Sequence, residues 1–324
     1  MWLFQEDKMK QIYWLSADNI LLGKEEVLAL TKPKSYELHD RILVLDSSFK
    51  DFGRLAYTKR VYNFLFSCRP EFLADCINRF DWNKVYKKSF CVRVHDFHIP
   101  HFTESGLADL IWRRLKRPKA DLKNPHTLIE FLFVKGVVFC GLFLHANDND
   151  FFSRVAHLRP GFHPSSLSPK LARCLVNLSG VQKKQVLLDP FCGSGGIIIE
   201  AAMVGCKAIG SDVDEKMLVR TAENLKYFNL KAKLLNEDAL KIGVRPDVIV
   251  TDPPYGRSSF TTKKVSSLYN SFLSHAYFLL KRKHRLVIVF PSTFKFKSKF
   301  RLICMVPVYV HRTLTRNIYV LEKV

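Results

Sequence analysis

The sequence predicts an α/β fold in which a seven-stranded sheet occupies the second half of the chain. There, short apolar runs rich in β-branched residues alternate with amphipathic helical segments, which is the pattern of strands covered by helices. Four of these runs lead into an acidic residue near the carboxyl end of the strand. These residues are Asp189, Asp212, Asp238 and Asp252. Since open α/β sheets bind their ligands at that edge, the acids predict a ligand site there.

The charge of the chain indicates a polyanionic partner. Lysine and arginine outnumber aspartate and glutamate by 51 to 30, a net charge of +21, which fits nucleic acid or an anionic membrane. Apolar runs such as 137–144 are far shorter than the ~20 residues of a membrane-spanning helix, and the start lacks the pattern of a signal peptide. Eight cysteines without any C-x-x-C pair argue against a zinc knuckle. We therefore expect a soluble, cytoplasmic protein that faces nucleic acid, with reduced thiols and no metal site.

The first 150 residues predict a smaller α+β region. Strand signals lie at 12–15, 41–45 and 55–66, and helix signals at 21–30 and 70–79. That order of elements is typical of ferredoxin-like domains, and we place such a domain at 1–85. A further domain at 86–150 begins near Lys87 and is predicted to contain a helix at 104–115 and a strand pair joined by Lys135-Gly136.

Basic clusters mark candidate RNA contacts. The helix predicted at 104–115 ends in Arg113, Arg114, Lys116 and Arg117. These residues could simply complement the helix dipole, but the charge of the whole chain favours contact with RNA phosphates. Residues 257–321 contain lysines and arginines, including Lys263 and Lys264, and no acid. A solvated basic face is the ordinary alternative there, and a polyanion would relieve its self-repulsion.

The glycine-rich stretch L-L-D-P-F-C-G-S-G-G at 187–196 is the strongest signal in the chain. It lacks the Gly-Lys-Ser/Thr of a P-loop and the G-x-G-x-x-G of a dinucleotide fingerprint. It resembles the loop with which S-adenosylmethionine (SAM) methyltransferases surround the methionine end of their cofactor. In that resemblance Asp212 holds the ribose hydroxyls and Asp238 accepts the adenine amino group. The full set of implied cofactor residues is Ser165, Asp189, Phe191, Cys192, Gly193, Gly195, Asp212 and Asp238.

The stretch T-D-P-P-Y-G at 251–256 predicts the catalytic residues. Two prolines end the strand abruptly and leave a carboxylate, a carbonyl and a flat ring at the sheet edge. A planar base with an exocyclic NH2 group could stack on Tyr255 and donate its N–H groups to Asp252 and the Pro253 carbonyl. An ordinary turn with a capping aspartate is the alternative interpretation.

Together, F-H-P-S-S-L-S-P, L-L-D-P-F-C-G-S-G-G and T-D-P-P-Y-G-R-S-S resemble the archaeal tRNA guanine-N2 methyltransferases that modify position 10. The resemblance implies a class I (Rossmann-like) methyltransferase domain with a mixed seven-stranded sheet at 166–324, after a linker at 151–165. It also implies that the preceding ferredoxin-like/THUMP module binds RNA. The implied cofactor is SAM, the substrate is tRNA, and the product is N2-methylguanosine and often its dimethyl form. Some members of the family use a small zinc-binding activator subunit.

Three other functions stay open from the sequence. A related THUMP methyltransferase could act on another guanosine of tRNA or rRNA. A DNA adenine-N6 methyltransferase can share D-P-P-Y, because it also methylates an exocyclic amine. A non-catalytic RNA-binding protein could retain a degenerate pocket, although the four intact acids count against it.

Overall fold

The structure is a computed structural model that describes residues 10–96, 102–164, 166–255, 259–311 and 314–324; the side chains of 96, 259–264, 310, 311 and 314 lie outside this description. The chain divides into two compact units. The first contains the described residues of Met1–Ile20, Thr31–Gly53 and Tyr57–Asp148. The second contains Leu21–Leu30, Arg54–Ala56 and the described residues of Asn149–Val324.

The first unit is built on a seven-stranded sheet. Its strands are β1 (Lys10–Leu15), β2 (Tyr36–His39), β3 (Ile42–Asp46), β4 (Thr58–Cys68), β5 (Phe90–Asp96), β6 (Thr127–Val134) and β7 (Val137–Ala146). Their order across the sheet is β2-β3-β1-β4-β7-β6-β5. All neighbours are antiparallel except β5 and β6, which run parallel.

The predicted ferredoxin-like part (1–85) and THUMP part (86–150) supply strands to this same sheet. β4 from the first part pairs with β7 from the second, over a register that runs from Arg60 opposite Ala146 to Cys68 opposite Val138. Strand β2 was not predicted, because it is only four residues long and its side chains are exposed or half-buried. The assignment of either part to RNA binding stays a prediction.

Two helices pack on one face of the first sheet. They are α2 (Leu73–Arg79) and α3 (Glu104–Trp112), and the sequence signals at 70–79 and 104–115 predicted both. Buried Ile77 and Ile111 join Trp82 in one apolar cluster against the sheet. Thr103 caps α3, since its side chain accepts a hydrogen bond from the backbone N–H of Gly106.

The second unit contains the predicted seven-stranded mixed sheet, which is confirmed. Its strands are β8 (Val186–Asp189), β9 (Lys207–Ser211), β10 (Lys233–Leu235), β11 (Val248–Thr251), β12 (Arg285–Pro291), β13 (Arg301–His311) and β14 (Leu314–Glu322). The order is β10-β9-β8-β11-β12-β14-β13. The first five run parallel, and β14 and β13 close the sheet as an antiparallel hairpin.

The helices of the second unit are α1, which comes from the first part of the sequence, and four later ones. Their bounds are α1 (Ile20–Thr31), α4 (Pro169–Leu178), α5 (Gly196–Met203), α6 (Glu215–Tyr227) and α7 (Ser259–Leu279). Helix α7 was not predicted, and it buries Tyr269, Phe272 and Ala276 in the core of this unit. In the part of the chain that the structure describes, no helix is long and apolar enough to cross a membrane.

A buried polar network ties early residues into the core of the second unit. Asn177 is fully buried and donates hydrogen bonds to Glu26 Oε1 (2.7 Å) and to the Arg54 carbonyl (2.8 Å). Its own side-chain oxygen accepts from Arg54 Nε at 2.8 Å, and Arg54 Nη2 donates to the Val181 carbonyl at 3.1 Å. Because buried polar groups are costly unless paired, this network requires α1 and the turn at Arg54 to belong to the second unit. Residues 151–165, predicted as a linker, also belong to this unit, apart from Ser165, which lies outside the described residues.

Candidate active site

Four acidic residues meet at one edge of the second sheet. Strands β8 to β11 run parallel, so their carboxyl ends lie on the same side. Asp189 ends β8, and the other three follow β9, β10 and β11. These three are Asp212, Asp238 and Asp252. The sequence prediction that these acids share an edge is therefore correct.

The glycine loop between β8 and α5 has a fixed shape. Gly193 and Gly195 have φ angles of 52° and 85°, which side chains disfavour. A Cβ at Gly195 would lie 2.7 Å from the Thr221 side chain, whereas one at Gly193 would meet no atom within 4 Å. Thr221 Oγ1 donates to the Gly193 carbonyl at 2.7 Å, and the Gly193 N–H donates to Asp212 Oδ2 at 2.9 Å. The loop is thus braced from α6 and opens at Gly193.

Asp189 lies beneath this loop and is almost inaccessible, with 1% of its surface exposed. It accepts hydrogen bonds from Thr251 Oγ1 at 2.7 Å and from the Phe191 N–H at 3.2 Å. Burial raises the pKa of Asp189 to about 7. In this structure Asp189 shapes the loop, and its direct contact with a cofactor stays a prediction.

Two further predicted cofactor residues, Asp212 and Asp238, accept hydrogen bonds from nearby backbone N–H groups. Asp212 Oδ1 accepts from the Asp214 N–H at 3.0 Å, and Asp238 Oδ1 accepts from the Leu240 N–H at 2.9 Å. Both carboxylates are half-buried, so each retains a face toward solvent. Cys192 is buried, and burial raises the pKa of its thiol well above the ordinary value, so it stays neutral. The Phe191 ring packs edge-on against a core phenylalanine of α7.

The D-P-P-Y motif after β11 is held by contacts with its own residues and with residues from later elements. Asp252 Oδ1 accepts a hydrogen bond from the Tyr255 hydroxyl, and Arg316 Nη1 lies 3.4 Å from Asp252 Oδ2. Burial raises the pKa of Asp252 to about 7, and the neighbouring Arg316 opposes that rise. Pro253 is buried, and the carbonyl of Pro254 accepts from the Tyr269 hydroxyl at 2.6 Å. These bonds fix the backbone that follows the strand.

Sequence reasoning missed several residues of this site. No sequence pattern around Arg316 indicates that it belongs to the site, because it reaches the carboxyl edge of the parallel strands only through the antiparallel pairing of β14 with β12. Tyr269 lies on α7, 15 residues after the carbonyl that it bonds. Thr251 directly precedes the aspartate of D-P-P-Y, and that position was the available hint of its bond to Asp189.

The predicted RNA-binding residues are divided between the two units. The first four belong to the first unit, where α3 ends at Trp112, so they follow the helix and do not lie on its last turn. Arg113 pairs with Asp109 at 2.6 Å, and Arg114 donates to Asn78 at 3.0 and 3.1 Å. Lys116 and Arg117 are exposed. Lys263 and Lys264 lie on α7, and their side chains are outside the described residues, as is Ser165.

Among the described residues, a metal centre would require a set of ligating side chains close together in space. Over those residues, no group of three or more His, Cys, Asp or Glu side chains is placed to hold a metal ion.

Two family models match the chain. One, described as an RMKL-like methyltransferase domain, matches residues 156–313, which include the glycine loop and D-P-P-Y. The other, described as a DNA methylase, matches residues 7–223, about two thirds of the chain. This second match ends before Asp252 and Tyr255, the residues that the sequence predicts to meet an exocyclic amine.

Characterised relatives match most of the chain. The tRNA (guanine(10)-N2)-dimethyltransferase of Methanothermobacter thermautotrophicus is 34% identical over 282 residues, which cover 84% of this chain and 84% of that protein. The enzyme of the same name from Methanocaldococcus jannaschii is 32% identical over 256 residues, covering 73% of this chain and 71% of that protein.

Among solved structures, TrmN from Thermus thermophilus matches with a TM-score of 0.51 at 23% identity, covering 97% of this chain and 100% of that one. That likeness concerns the fold. The two tRNA (guanine(10)-N2)-dimethyltransferases show family membership as well, because their sequence identity to this chain extends across both units. The chain belongs to the family that the DNA methylase model describes and to the family of the archaeal tRNA (guanine(10)-N2)-dimethyltransferases.

Proposed function

We propose that this protein transfers a methyl group from SAM to the exocyclic N2 of a guanosine in tRNA, at position 10. The observation that carries the proposal is the carboxylate of Asp252 at the end of β11, beside Tyr255 and on the same sheet edge as the glycine loop. Family membership supplies the substrate class, because the two relatives are named for this reaction.

The residues at the edge fit an adenosyl cofactor. Gly193 opens to free space beside the Asp212 carboxylate, and Asp238 follows the neighbouring strand. Asp212 would hold the ribose hydroxyls and Asp238 the adenine amino group, while the loop from Asp189 to Gly195 surrounds the methionine end with Ser165. When bound, SAM supplies an electrophilic methyl group.

The chemistry required of the protein is positioning and charge compensation. The lone pair of guanine N2 is conjugated with the ring, so N2 is a weak nucleophile, and positive charge develops on it as the new C–N bond forms. Asp252 and the Pro253 carbonyl accept the two N–H bonds and offset that charge. With a pKa raised to about 7, Asp252 can also hold the proton that N2 releases. Tyr255 stacks on the extruded base, which offsets part of the few kcal/mol lost on unstacking.

The first unit serves as the RNA-docking module in this proposal. Arg113, Arg114, Lys116 and Arg117 are exposed on it and would contact phosphates. In the second unit, Lys263 and Lys264 of α7 would also contact RNA phosphates. The module would act as a THUMP domain in the cytoplasm. A small zinc-binding activator subunit is part of the proposal, as is a second methylation of the same N2.

Nucleoside analysis of tRNA tests the function. Purified protein, labelled SAM and a tRNA transcript should yield N2-methylguanosine, and a matched transcript with adenosine at position 10 should stay unlabelled. Equal labelling of the two transcripts would move the target to another guanosine. Repeating the assay with candidate activator subunits tests that partner, since full turnover by the protein alone would exclude a requirement for one.

A DNA adenine-N6 methyltransferase is the second candidate, favoured by the match to the DNA methylase model. An exocyclic amine on adenine would meet the same Asp252 and Pro253. Incubation of the protein with duplex DNA and labelled SAM separates the two functions: N6-methyladenine in DNA, without label in tRNA, would overturn the proposal.

A further inference from the structure

Arg316 reaches the catalytic aspartate from an element that the proposed mechanism does not use. In the closing hairpin, β14 runs antiparallel to β12, and Arg316 lies opposite Pro291 at the carboxyl end of that strand. The beginning of β14 therefore meets the edge at which β11 ends. There, Arg316 Nη1 lies 3.4 Å from Asp252 Oδ2, with 16% and 11% of the two side chains exposed.

The same guanidinium covers the catalytic tyrosine. The Cζ atom of Arg316 lies 4.8 Å from the centroid of the Tyr255 ring, within the range of a cation–π contact. The Tyr255 hydroxyl donates to Asp252 Oδ1, so tyrosine and arginine use different oxygens of one carboxylate. Because Arg316 occupies one face of the ring, a base could stack only on the opposite face.

We propose that Arg316 is a positioning residue that keeps Asp252 ionised and holds the Tyr255 ring with one face free for the extruded base. This inference rests on the proposed function, because it assigns Asp252 the task of accepting N–H groups. A protonated carboxyl group would present an O–H donor to the amine. It could neither offset the positive charge that develops on N2 nor take up the proton that N2 releases.

The groups around Asp252 explain why it needs a cation. Burial raises its pKa to about 7, and Arg316 acts against that rise. The pKa of Asp189 on β8 is raised mainly by burial and in smaller part by the charge of Asp252. The Tyr255 hydroxyl donates to Asp252, and the Tyr269 hydroxyl donates to the Pro254 carbonyl. Burial raises the pKa of Tyr269, and the charge of Asp252 adds to that rise. Without the guanidinium the pKa of Asp252 rises further, so less of it is ionised at neutral pH.

Two substitutions separate the two roles of the side chain. Arg316→Gln removes the charge and keeps most of the length, whereas Arg316→Lys keeps the charge and loses the planar stacking surface. Arg245→Gln is a matched control, because Arg245 also stacks on a ring, that of Phe278 at 5.6 Å, away from the motif. For each variant, kcat and KM for tRNA are measured from pH 5.5 to 8.5, with SAM affinity and thermal unfolding as checks of folding.

For Arg316→Gln we expect the acid limb of kcat to move upward by about one pH unit, the usual minimum for loss of an opposite charge at this distance. Turnover at pH 6.5 should fall about tenfold and recover at pH 8.5. Arg316→Lys should keep the wild-type limb and raise KM several-fold, and Arg245→Gln should change neither quantity.

The inference is overturned if Arg316→Gln keeps the wild-type pH profile, or if its loss of turnover is the same at every pH. The same shift should disappear in an Asp252→Asn background, since no carboxyl group remains to titrate; a shift that persists there also overturns it. If the wild type forms no N2-methylguanosine at any pH, the proposed function fails first, and that result is distinct from an unshifted profile.

Discussion

The two seven-stranded sheets of this protein place their buried acids in different ways. In the second sheet, five neighbouring strands run parallel, so their carboxyl ends collect acidic residues and the glycine loop at one edge. In the first sheet, neighbouring strands alternate in direction apart from β5 and β6. Its buried acid, Glu130, lies within β6, where Arg60, Tyr62 and His95 contact it at 2.5, 2.8 and 2.7 Å.

The comparison shows how strand direction decides where chemistry can occur. Parallel strands end together, so each contributes one side chain to a shared site without distorting the sheet. Strands that alternate in direction separate their ends, and a buried acid between them is satisfied locally. Glu130 has both oxygens engaged and is a structural group. We therefore expect changes at the edge of the second sheet to affect turnover and changes in the first unit to affect affinity or stability.

The largest effect is expected at Asp252. Asp252→Ala should still bind SAM and tRNA but lose turnover by a factor on the order of 10², as on loss of a preorganised group that acts in the transition state. Single-turnover kinetics with saturating tRNA measures this loss. A near wild-type rate of methylation by this variant would mean that D-P-P-Y is only a turn that ends the strand and has no catalytic role.

Asp252→Asn sharpens that result, because it keeps an acceptor oxygen and removes the charge. Substantial remaining activity would indicate that hydrogen-bond geometry dominates, whereas activity as low as in the alanine variant would indicate that charge compensation does. The asparagine variant should also lose the acid limb of the pH profile, since the group with a pKa of about 7 is gone.

The next effect concerns Asp212, at the same edge but on the cofactor side. Asp212→Ala should weaken SAM binding by roughly 10- to 100-fold, the range for losing hydrogen bonds to a charged group. Part of that loss comes from the glycine loop, because Asp212 also accepts from the Gly193 N–H. Calorimetry of SAM binding measures the effect, with tRNA affinity expected to stay nearly unchanged.

Asp247→Asn is a suitable control for Asp212. Its carboxylate also accepts a backbone hydrogen bond, from the Val186 N–H at 2.8 Å, but where β8 and β11 begin. If both variants lose SAM affinity equally, the effect reports general damage to the sheet and the ribose assignment is wrong.

A smaller effect is expected from the first unit. Neutralising Arg113, Arg114, Lys116 and Arg117 to glutamine should lower tRNA affinity roughly tenfold while leaving kcat at saturating tRNA unchanged. The slope of log K against log salt should become shallower by roughly 0.7 to 0.9 for each phosphate that the variant no longer neutralises. An unchanged slope would mean that these residues form a solvated surface without phosphate contacts. A fall in kcat would contradict the expectation that changes in the first unit affect affinity or stability and not turnover.

The smallest effect is expected on the unfolding temperature, when the buried acids Asp189 and Glu130 are each replaced by the corresponding amide. The pKa of Asp189 is about 7 in the folded protein, against 3.8 for an unperturbed aspartate, so its stabilising contribution is complete below pH 3.8 and is lost as the pH rises through 7. Asp189→Asn should therefore raise the unfolding temperature by a few degrees at pH 8 and by less at pH 5. Glu130→Gln should lower it, because removing one member of a buried ionic network leaves the others unpaired. Thermal unfolding of the wild type and both variants at pH 5 and pH 8 measures these changes. A lower unfolding temperature for Asp189→Asn than for the wild type at pH 8 would contradict the expectation.

The sequence allowed most of the second sheet and half of its site to be predicted, for a physical reason. Asp189, Gly193, Gly195 and Asp252 belong to short motifs whose geometry is set by adjacent residues. Arg316 and Tyr269 belong to the site through strand pairing and helix packing, which no local pattern encodes. For the same reason α1 was assigned to the first part of the chain, although its Glu26 bonds to Asn177 in the second unit.

That bond has a consequence for how the chain is made. Glu26 and Asn177 are 151 residues apart, so at ribosomal rates of about 5–20 residues per second the amide is synthesised roughly 8 to 30 s after the carboxylate. During that interval Leu22, Val27 and Leu30 of α1, all buried in the finished protein, have not yet met the core that covers them. A cell that makes this protein must therefore keep an apolar helix from aggregating on the nascent chain while most of the first unit is already complete.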